Sequence, residues 1–321
     1  MSRLKDKIKA KQFVITAEIV PPLSASGTKL LHEASQLAGK VDAINITDAA
    51  AGKTSISSFA AAAILVANGH EPVLQVTCRD RNRIALAGDL IGAGAQGVEN
   101  LLMLRGDDPK GGDQPDAKPV FDFESIDLLK LARDMRDKGE LPSARKIDSP
   151  PKFFIGAADV PRRPDAKWSA VPLQKKIEAG ADFIQTQFGF DLDVVRAYAE
   201  RLRAEGITEK LGVIIGVGPI RSAKSARWMN ENLFGVTVPE PIIARIEGAK
   251  DQAAEGRLVC AELIAGLKAI PGIAGAHVMA PAQGTDAIAA VLDSLGSPGN
   301  LGLTACWKFR EISGTRMSSP T

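Results

Sequence analysis

Residues 13–19 read Phe-Val-Ile-Thr-Ala-Glu-Ile, and Pro21-Pro22 end the run two positions later. A short apolar run that proline stops is typical of a strand buried in a parallel sheet. Seven further runs of this kind follow, each bounded by glycine, proline or charge: 43–47, 73–77, 98–104, 153–156, 183–187, 213–217 and 274–279. The eight runs predict eight parallel strands.

Helical patterns lie between these strands, at 57–68, 84–91, 125–138, 192–205 and 258–269. Strands alternating with helices predict an α/β protein, and eight of them predict a (β/α)8 TIM barrel. An open, doubly wound sheet is the alternative. The number eight and the even composition favour one barrel domain over residues 1–296. We expect residues 297–321 to form a peripheral or partly disordered C-terminal tail.

The composition excludes several classes of protein. The 321 residues carry a net charge of +2 and only 5% aromatics, which argues against a nucleic-acid partner. The N-terminus lacks the apolar region of a signal peptide, and no apolar run reaches ~18 residues, so we expect no membrane partner. Three distant cysteines, Cys78, Cys260 and Cys306, suggest a reducing compartment, and we predict a cytoplasmic location.

Several sequence features that resemble known binding motifs do not have the arrangement that binding requires. Residues 92–97 match G-x-G-x-x-G but follow a helix, the reverse of the dinucleotide-binding arrangement. Residues 51–54 resemble the end of a P-loop but lack its first glycine. His32, His70 and His277 are not spaced as metal ligands, so no metal site is predicted. His277, inside the eighth predicted strand, is consistent with a hydrogen-bonded core histidine.

Acidic residues at strand ends are the remaining chemical signal. Glu18 lies near the end of the first predicted strand, Asp48 follows the second and Asp107 follows the fourth. The carboxyl ends of barrel strands form one mouth, so we expect the three side chains to converge there, although each could instead cap a helix. Glu18 lies in an apolar run, where a poorly solvated carboxyl group keeps its proton more readily, as a general acid must. The long connections 106–124 and 157–169 follow strands and are expected at the same mouth.

Four segments in order carry a family resemblance: Thr16–Pro22, Leu104–Pro109, Ala179–Phe188 and Gly216–Ile220. They resemble, respectively, the glutamate-Pro-Pro segment, the Leu-Arg-Gly-Asp loop, the Ala-Gly-Ala…Thr-Gln strand and the glycine-proline turn of methylenetetrahydrofolate reductases. Together they span most of residues 12–295. The resemblance implies a (β/α)8 flavoprotein oxidoreductase of one-carbon metabolism and methionine biosynthesis. It would reduce 5,10-methylenetetrahydrofolate to 5-methyltetrahydrofolate with NADH or NADPH through bound FAD.

The resemblance also implies roles for individual residues. Glu18 would be the general acid that opens the methylene bridge, and Asp107 would lie near flavin and pterin. Gln187 and Gln283 fall at substrate-contacting positions, together with Glu18 and Asp107. The positions implied for flavin binding are Thr47, Asp48, Gln75, Arg105, Gly106, Asp107, Phe121, Ala157 and Lys176. The cationic candidates for the phosphates are Arg162, Arg163, Lys167 and Lys176.

The sequence departs from the better-known bacterial enzymes of this family at several of these positions. Gln75 replaces a flavin-contacting histidine, and Phe121 replaces a tyrosine. Ser169 falls near a flavin-ribose aspartate, Gln283 replaces an arginine, and Ala223 replaces a stacking phenylalanine. Two alternatives therefore stay open: a flavin-free reductase that uses NADH directly, and a non-catalytic folate-binding subunit of a methyl-transfer assembly. The resemblance implies a homo-oligomer and leaves room for a partner subunit.

Overall fold

The computed structural model describes residues 2–295, and within them eight parallel strands close into a barrel. The strands are β1 (Val14–Ile19), β2 (Ala43–Ile46), β3 (Pro72–Thr77), β4 (Asn100–Leu104), β5 (Phe154–Asp159), β6 (Phe183–Phe188), β7 (Gly212–Val217) and β8 (Gly275–Val278). They pair in chain order, and β8 closes on β1. The TIM-barrel prediction is confirmed, and the open-sheet alternative is wrong. The predicted tail, 297–321, lies outside the described residues.

Eleven α-helices surround the barrel in this part of the chain. They are α1 (Arg3–Lys9), α2 (Thr28–Leu37), α3 (Ser58–Ala67), α4 (Arg83–Ala95), α5 (Ser125–Asp137), α6 (Val171–Glu178), α7 (Leu192–Ala204), α8 (Ala223–Asn232), α9 (Glu240–Glu247), α10 (Gln252–Lys268) and α11 (Thr285–Leu295). Three of them, α8 to α10, lie between β7 and β8. No helix described between residues 2 and 295 has the length and apolar character needed to cross a membrane.

Helix α10 begins six residues before the predicted start. A side-chain cap and a close contact with another loop fix its first turns, and the pattern of apolar residues reveals neither of them. The side chain of Asp251 caps it by accepting a hydrogen bond from the backbone of Ala254. Gly256 then lets the helix approach the connection after β7, since a Cβ at this position would lie 1.7 Å from the carbonyl oxygen of Ile220. The predicted patterns correspond to α3, α4, α5, α7 and α10, so the sequence missed α1, α2, α6, α8, α9 and α11. Of these, α9 starts at Glu240 between Pro239 and Pro241.

The interior of the barrel is filled in layers. Alternate strand residues point inward, and the lowest layer is apolar: Val14, Ala43, Val73, Leu102, Phe154, Phe183 and Ile214. Helix α1 closes this end of the barrel by packing Leu4 and Ile8 against that layer. The layer above it is polar, with Thr16, Asn45, Gln75, Gln185 and His277 all buried. The mouth above that layer holds the candidate site.

Candidate functional site

Glu18 projects from β1 into the inner mouth of the barrel. Its carboxylate oxygen Oε2 accepts a hydrogen bond of 3.1 Å from Nε2 of Gln75 on β3. The ring nitrogen Nε2 of His277 on β8 lies 3.7 Å from the same oxygen. The side chain of Glu18 keeps 21% of its surface exposed. The expected apolar surroundings are therefore replaced by polar partners, and the carboxyl group can reach both protein donors and a ligand in the mouth.

A buried hydrogen-bonded chain supports this carboxylate from below. Asn45 and Gln185 pair through both amides, at 2.6 and 3.2 Å. Gln185 also donates to the hydroxyl of Thr16 at 3.1 Å, and this hydroxyl lies 2.9 Å from Nδ1 of His277. His277 is thus a hydrogen-bonded core histidine, as one interpretation of the sequence expected. It differs from an ordinary one because its second nitrogen faces Glu18.

Asp107 lies at the outer rim, in the connection after β4. Its Oδ2 accepts a 2.8 Å hydrogen bond from the backbone N–H of Ala51, in the connection after β2. Ala49 and Ala51 both have left-handed backbones, with φ of 48° and 54°. Such conformations cost energy in non-glycine residues and persist only where neighbours hold them. Asp107 is one of those neighbours, and it remains exposed to a ligand.

Arg79, which sequence reasoning missed, is a second residue that holds the left-handed backbone at Ala49. The residue is 1% exposed, yet it carries a full charge, which two hydrogen bonds to Asp80 balance at 2.7 Å each. Its remaining donors reach the carbonyl oxygens of Ala49 and Asp107, at 3.2 and 3.3 Å. Arg79 therefore links the connections after β2, β3 and β4 into one rim.

Asp48 does not face the mouth. Its carboxylate is 7% exposed and accepts hydrogen bonds from the backbone and hydroxyl of Thr77, at 2.8 and 2.9 Å, and from Ser58 at 3.1 Å. The guanidinium of Arg81 pairs with it as well. These partners occupy the carboxylate on both oxygens. Asp48 is therefore engaged by protein partners, whereas Glu18 lies in the inner mouth and Asp107 at its outer rim.

Thr47 has a feature that suits a ligand, whereas Gly106 is required by the packing of the protein itself. The Thr47 hydroxyl is buried and has no hydrogen-bond partner within residues 2–295, although such groups are ordinarily paired. Gly106 has a φ of +94°, and a Cβ there would lie 2.9 Å from Cβ of Arg79. Only glycine fits this position without displacing Arg79. The backbone after β4 therefore packs directly against the side chain of Arg79.

Three predicted flavin contacts are engaged with other groups of the protein. Arg105 turns outward, where its guanidinium lies 4.2 Å from the centre of the Phe121 ring and 3.7 Å from Glu124. Phe121 in turn packs against the hydrophobic core outside the barrel. Ala157 belongs to the same outer core and is 2% exposed, since it alternates with the inward-facing positions of β5. Its exposed neighbour Ala158 stands at the mouth instead.

The two predicted substrate glutamines lie at the mouth but are partly engaged. Oε1 of Gln187 accepts a 3.0 Å hydrogen bond from the backbone of Phe188, while its amide nitrogen donates to no group in the described part of the chain. Gln283 donates to the carbonyl of Pro219 at 2.7 Å, which ties the connection after β8 to that after β7. Each glutamine retains unused hydrogen-bonding capacity for a ligand.

A cleft of about 540 Å³ opens beside β5 and β6. Its walls include the stacked rings of Phe188 and Phe190, the indole of Trp168 and the exposed side chains of Arg162 and Arg163. Apolar walls with two cations suit an aromatic ligand that bears phosphate. Lys167 lies nearby in sequence but does not line the cleft.

The inner end of this cleft is fixed by Asp159. It accepts a hydrogen bond from the hydroxyl of Tyr198, and burial together with this carboxylate raises the pKa of Tyr198 above its usual value. Lys176 lies 3.6 Å from Asp159 and donates to the carbonyl of Ala158 at 2.6 Å. The Lys176 ammonium is therefore held at the end of β5, between the cleft and the mouth.

Two other departures from the family pattern have structural roles here. The hydroxyl of Ser169 accepts a hydrogen bond from the backbone of Val171 at the start of α6. Ala223 is buried at the start of α8 and is 3% exposed. Ser169 also lines the cleft beside β5 and β6, whereas Ala223 does not.

The buried polar layer had a signal in the sequence that could have been used. Polar residues stand two positions apart in four strands, as in Thr16 and Glu18 or Gln185 and Gln187. Alternation places such pairs on one face of a strand, and in a closed barrel an inner row of polar residues needs mutual partners. Arg79 offered no comparable signal, because its burial depends on three separate loops.

Comparisons with known proteins agree with this architecture. A protein from Caenorhabditis elegans named probable methylenetetrahydrofolate reductase (NADPH) is 27% identical over 260 residues, covering 77% of this chain and 36% of that protein. The 5,10-methylenetetrahydrofolate reductase of Salmonella typhimurium is 26% identical over 199 residues, covering 61% of this chain and 59% of that protein. The chain thus spans about a third of the worm relative and somewhat over half of the bacterial one.

A solved structure shares the fold. It is described as an uncharacterized protein from Clostridium thermocellum that binds two copies of 5-methyl-5,6,7,8-tetrahydrofolic acid. It superposes with a TM-score of 0.65 at 14% identity, covering 91% of this chain and 98% of that one. The sequence profile described as methylenetetrahydrofolate reductase matches residues 3–296, and the chain belongs to the methylenetetrahydrofolate reductase family.

Proposed function

We propose that this protein reduces 5,10-methylenetetrahydrofolate to 5-methyltetrahydrofolate, with a hydride from NADH or NADPH and with FAD bound at the barrel mouth. The observation that carries the proposal is the placement of Glu18, a carboxyl group inside the mouth with two polar neighbours. Membership of the family and the names of the relatives support the same reaction. The fold neighbour described as binding 5-methyltetrahydrofolic acid supports a folate as ligand.

Glu18 would act as the general acid. The methylene bridge joins two nitrogens, and protonation of one of them lets its bond to the bridging carbon break. The remaining nitrogen then forms an iminium, whose carbon accepts the hydride and becomes the methyl group. A carboxyl group in a partly dry mouth can supply that proton, which typically contributes about 10²–10⁴-fold to such a step. The hydrogen bond from Gln75 holds Glu18 in place.

Gln187 and Asp107 would hold the pterin. The free amide nitrogen of Gln187 can donate, and its oxygen can accept once it is released from Phe188. A pterin edge presents the same mixture of donors and acceptors. The free oxygen of Asp107 can accept a further hydrogen bond at the rim, while its other oxygen keeps Ala51 in place. Gln283 lies on the opposite side, between the connections after β7 and β8.

The residues present fit a flavin dinucleotide. When bound, FAD would supply a carrier that takes a hydride from the nicotinamide and passes it on. The unpaired hydroxyl of Thr47 could hydrogen-bond it. Arg162 and Arg163 could pair with its phosphates, and Trp168 offers a stacking surface within the cleft.

One observation favours a second candidate, the flavin-free reductase. The side chains of Arg105 and Ala157, both expected to contact flavin, face the outer core or the long loop instead. Gln75, at the position of the flavin-contacting histidine, is already engaged with Glu18. In this candidate the nicotinamide and the folate would meet directly in the mouth, and Glu18 would keep its role.

Two measurements on the purified chain test these candidates. The first is its visible absorption spectrum, which shows whether oxidised flavin is bound. The second is turnover of methylenetetrahydrofolate with NADH and then with NADPH, before and after added FAD. Turnover with bound flavin supports the main proposal, and turnover that needs no flavin supports the second candidate. Absence of turnover under every condition would contradict both and favour a folate-binding subunit, which a binding assay with 5-methyltetrahydrofolate would then test.

A further inference from the structure

Oxygen Oε2 of Glu18 is approached from two sides of the barrel. Gln75 reaches it from β3, two strands away in one direction, and His277 reaches it from β8, the adjacent strand in the other. The contact with Gln75 is a hydrogen bond, whereas the 3.7 Å from His277 is longer than one. A small rotation of the carboxyl group would shorten it, and catalytic hydrogen bonds commonly tighten only when the substrate is bound.

The hydrogen bonds below His277 determine which ring nitrogen carries the proton. In the amide orientation of the structure, Nε2 of Gln185 donates one hydrogen to Asn45 and the other to the hydroxyl of Thr16. The Thr16 hydroxyl must then place its own hydrogen on another acceptor. Within residues 2–295 its other hydrogen-bond partner is Nδ1 of His277. Nδ1 is therefore the acceptor, and the neutral ring carries its proton on Nε2, towards Glu18.

We propose that His277 is a positioning residue for Glu18: the buried chain Asn45–Gln185–Thr16 holds its ring so that Nε2–H points at Oε2 of the carboxyl group. This inference rests on the proposed function and names a further residue in its acid step. Gln75 and His277 together engage Oε2. The other carboxyl oxygen, Oε1, is left as the one that carries and delivers the proton.

The arrangement has a consequence after the proton has left. Glu18 is then a carboxylate: Gln75 already donates to its Oε2, and a small rotation of the carboxyl group brings Nε2–H of His277 within hydrogen-bond distance of the same oxygen. Hydrogen bonds to the charged form favour that form, so they lower the free energy of the state that follows proton transfer. Because His277 and the three residues of the chain below it are all 0–3% exposed, their cross-barrel contacts exclude water and fix the ring.

Two substitutions of His277 separate its two nitrogens. His277→Gln keeps an N–H donor near the position of Nε2, whereas His277→Asn keeps a partner for Thr16 near Nδ1 but loses the donor to Glu18. We expect His277→Asn to lower kcat for methylenetetrahydrofolate reduction by about 10-fold or more with little change in KM, as misplacement of a catalytic group does. We expect His277→Gln to recover most of that loss. His32→Gln, on the exposed surface of α2, is the matched control and should keep wild-type kinetics.

A second measurement does not depend on activity. The chain has three histidines, so nitrogen-15 labelling of histidine gives a simple NMR spectrum in which His277 is assigned from its variants. We expect a neutral ring protonated on Nε2 and unprotonated on Nδ1. Thr16→Val should abolish that preference, and Glu18→Gln should shift the Nε2 resonance of His277 while leaving His32 and His70 unchanged.

The outcomes are distinct. A proton on Nδ1, or a His277 resonance that ignores Glu18→Gln, overturns the inference whether or not the protein is a reductase. Equal losses of kcat in His277→Asn and His277→Gln would also overturn it, because they would show that the ring of His277 has only a structural role. If the wild-type protein does not turn over, the proposed function fails. The spectrum then still decides whether His277 and Glu18 are coupled.

Discussion

Replacement of Glu18 by glutamine is the most direct perturbation of the proposed chemistry. The amide has the shape of the carboxyl group, and its oxygen can still accept the 3.1 Å hydrogen bond from Gln75. Because the side chain is 21% exposed and loses no buried partner, we expect the free energy of unfolding to change by less than about 0.5 kcal/mol. The substitution therefore removes the acid and leaves the fold.

The loss of activity follows from the same geometry. A general acid contributes about 10²–10⁴-fold, and the partial exposure of Glu18 lets water at the mouth replace some of that contribution. We expect methylenetetrahydrofolate reduction to slow by about 10²-fold, which corresponds to about 2.7 kcal/mol of transition-state stabilisation. Oxidation of the nicotinamide by an artificial acceptor should keep its rate, because that reaction needs no proton from Glu18.

The assay compares these two reactions in the wild-type protein, Glu18→Gln and Glu200→Gln, the last being a control on the exposed face of α7. Stopped-flow mixing of the reduced protein with folate isolates the acid step. The reasoning is refuted if Glu18→Gln slows both reactions equally or lowers Tm by several degrees, since Glu18 would then be structural. It is refuted as well if folate reduction proceeds at the wild-type rate.

Four further substitutions test other parts of the protein. Asp107→Asn should raise the reduction potential of bound flavin, because it removes a negative charge that opposes the anionic reduced ring; an unchanged potential would place Asp107 away from the flavin. Gln187→Ala should weaken folate binding by about 1–3 kcal/mol, measured by titration of the reduced protein, and normal binding would contradict a pterin contact. Arg79→Met should lower the free energy of unfolding by about 2–4 kcal/mol in urea, because two rim carbonyls lose a buried donor, whereas the exposed Arg83→Met should change it little. Burial raises the pKa of the Cys260 thiol. Its contribution to stability is therefore complete below the unfolded pKa of about 8.5 and is lost as the pH rises further. Cys260→Ala should flatten the fall of Tm above that pH, and an unchanged slope would contradict this.

The sequence alone was sufficient for the architecture. Each strand is a local apolar run, and buried parallel strands are recognised by that run and its boundaries rather than by distant contacts. The eight strands therefore appear in the structure within a few residues of their predicted ends, and β5 differs most because it continues to Asp159. The position of Glu18 at the mouth also follows from local information, since it lies at the end of β1.

The tertiary structure decided which predicted site residues are available to a ligand. Asp48 and Glu18 look alike in sequence as acids at strand ends, but Thr77, Ser58 and Arg81 occupy the Asp48 carboxylate. Those partners lie 10 to 33 positions away along the chain, so no local pattern reveals them.

The same holds for the residues that sequence reasoning did not assign to the site. Gln185 and Thr16 are 169 positions apart, and Thr16 and His277 are 261 apart, yet closure of the barrel brings all three into one buried chain. A buried polar group is stable only with a partner, and the partner is set by how the strands close, not by its own neighbours in sequence. The sequence therefore determined the barrel and the position of Glu18, and the closed barrel determined which side chains hold its carboxyl group in place.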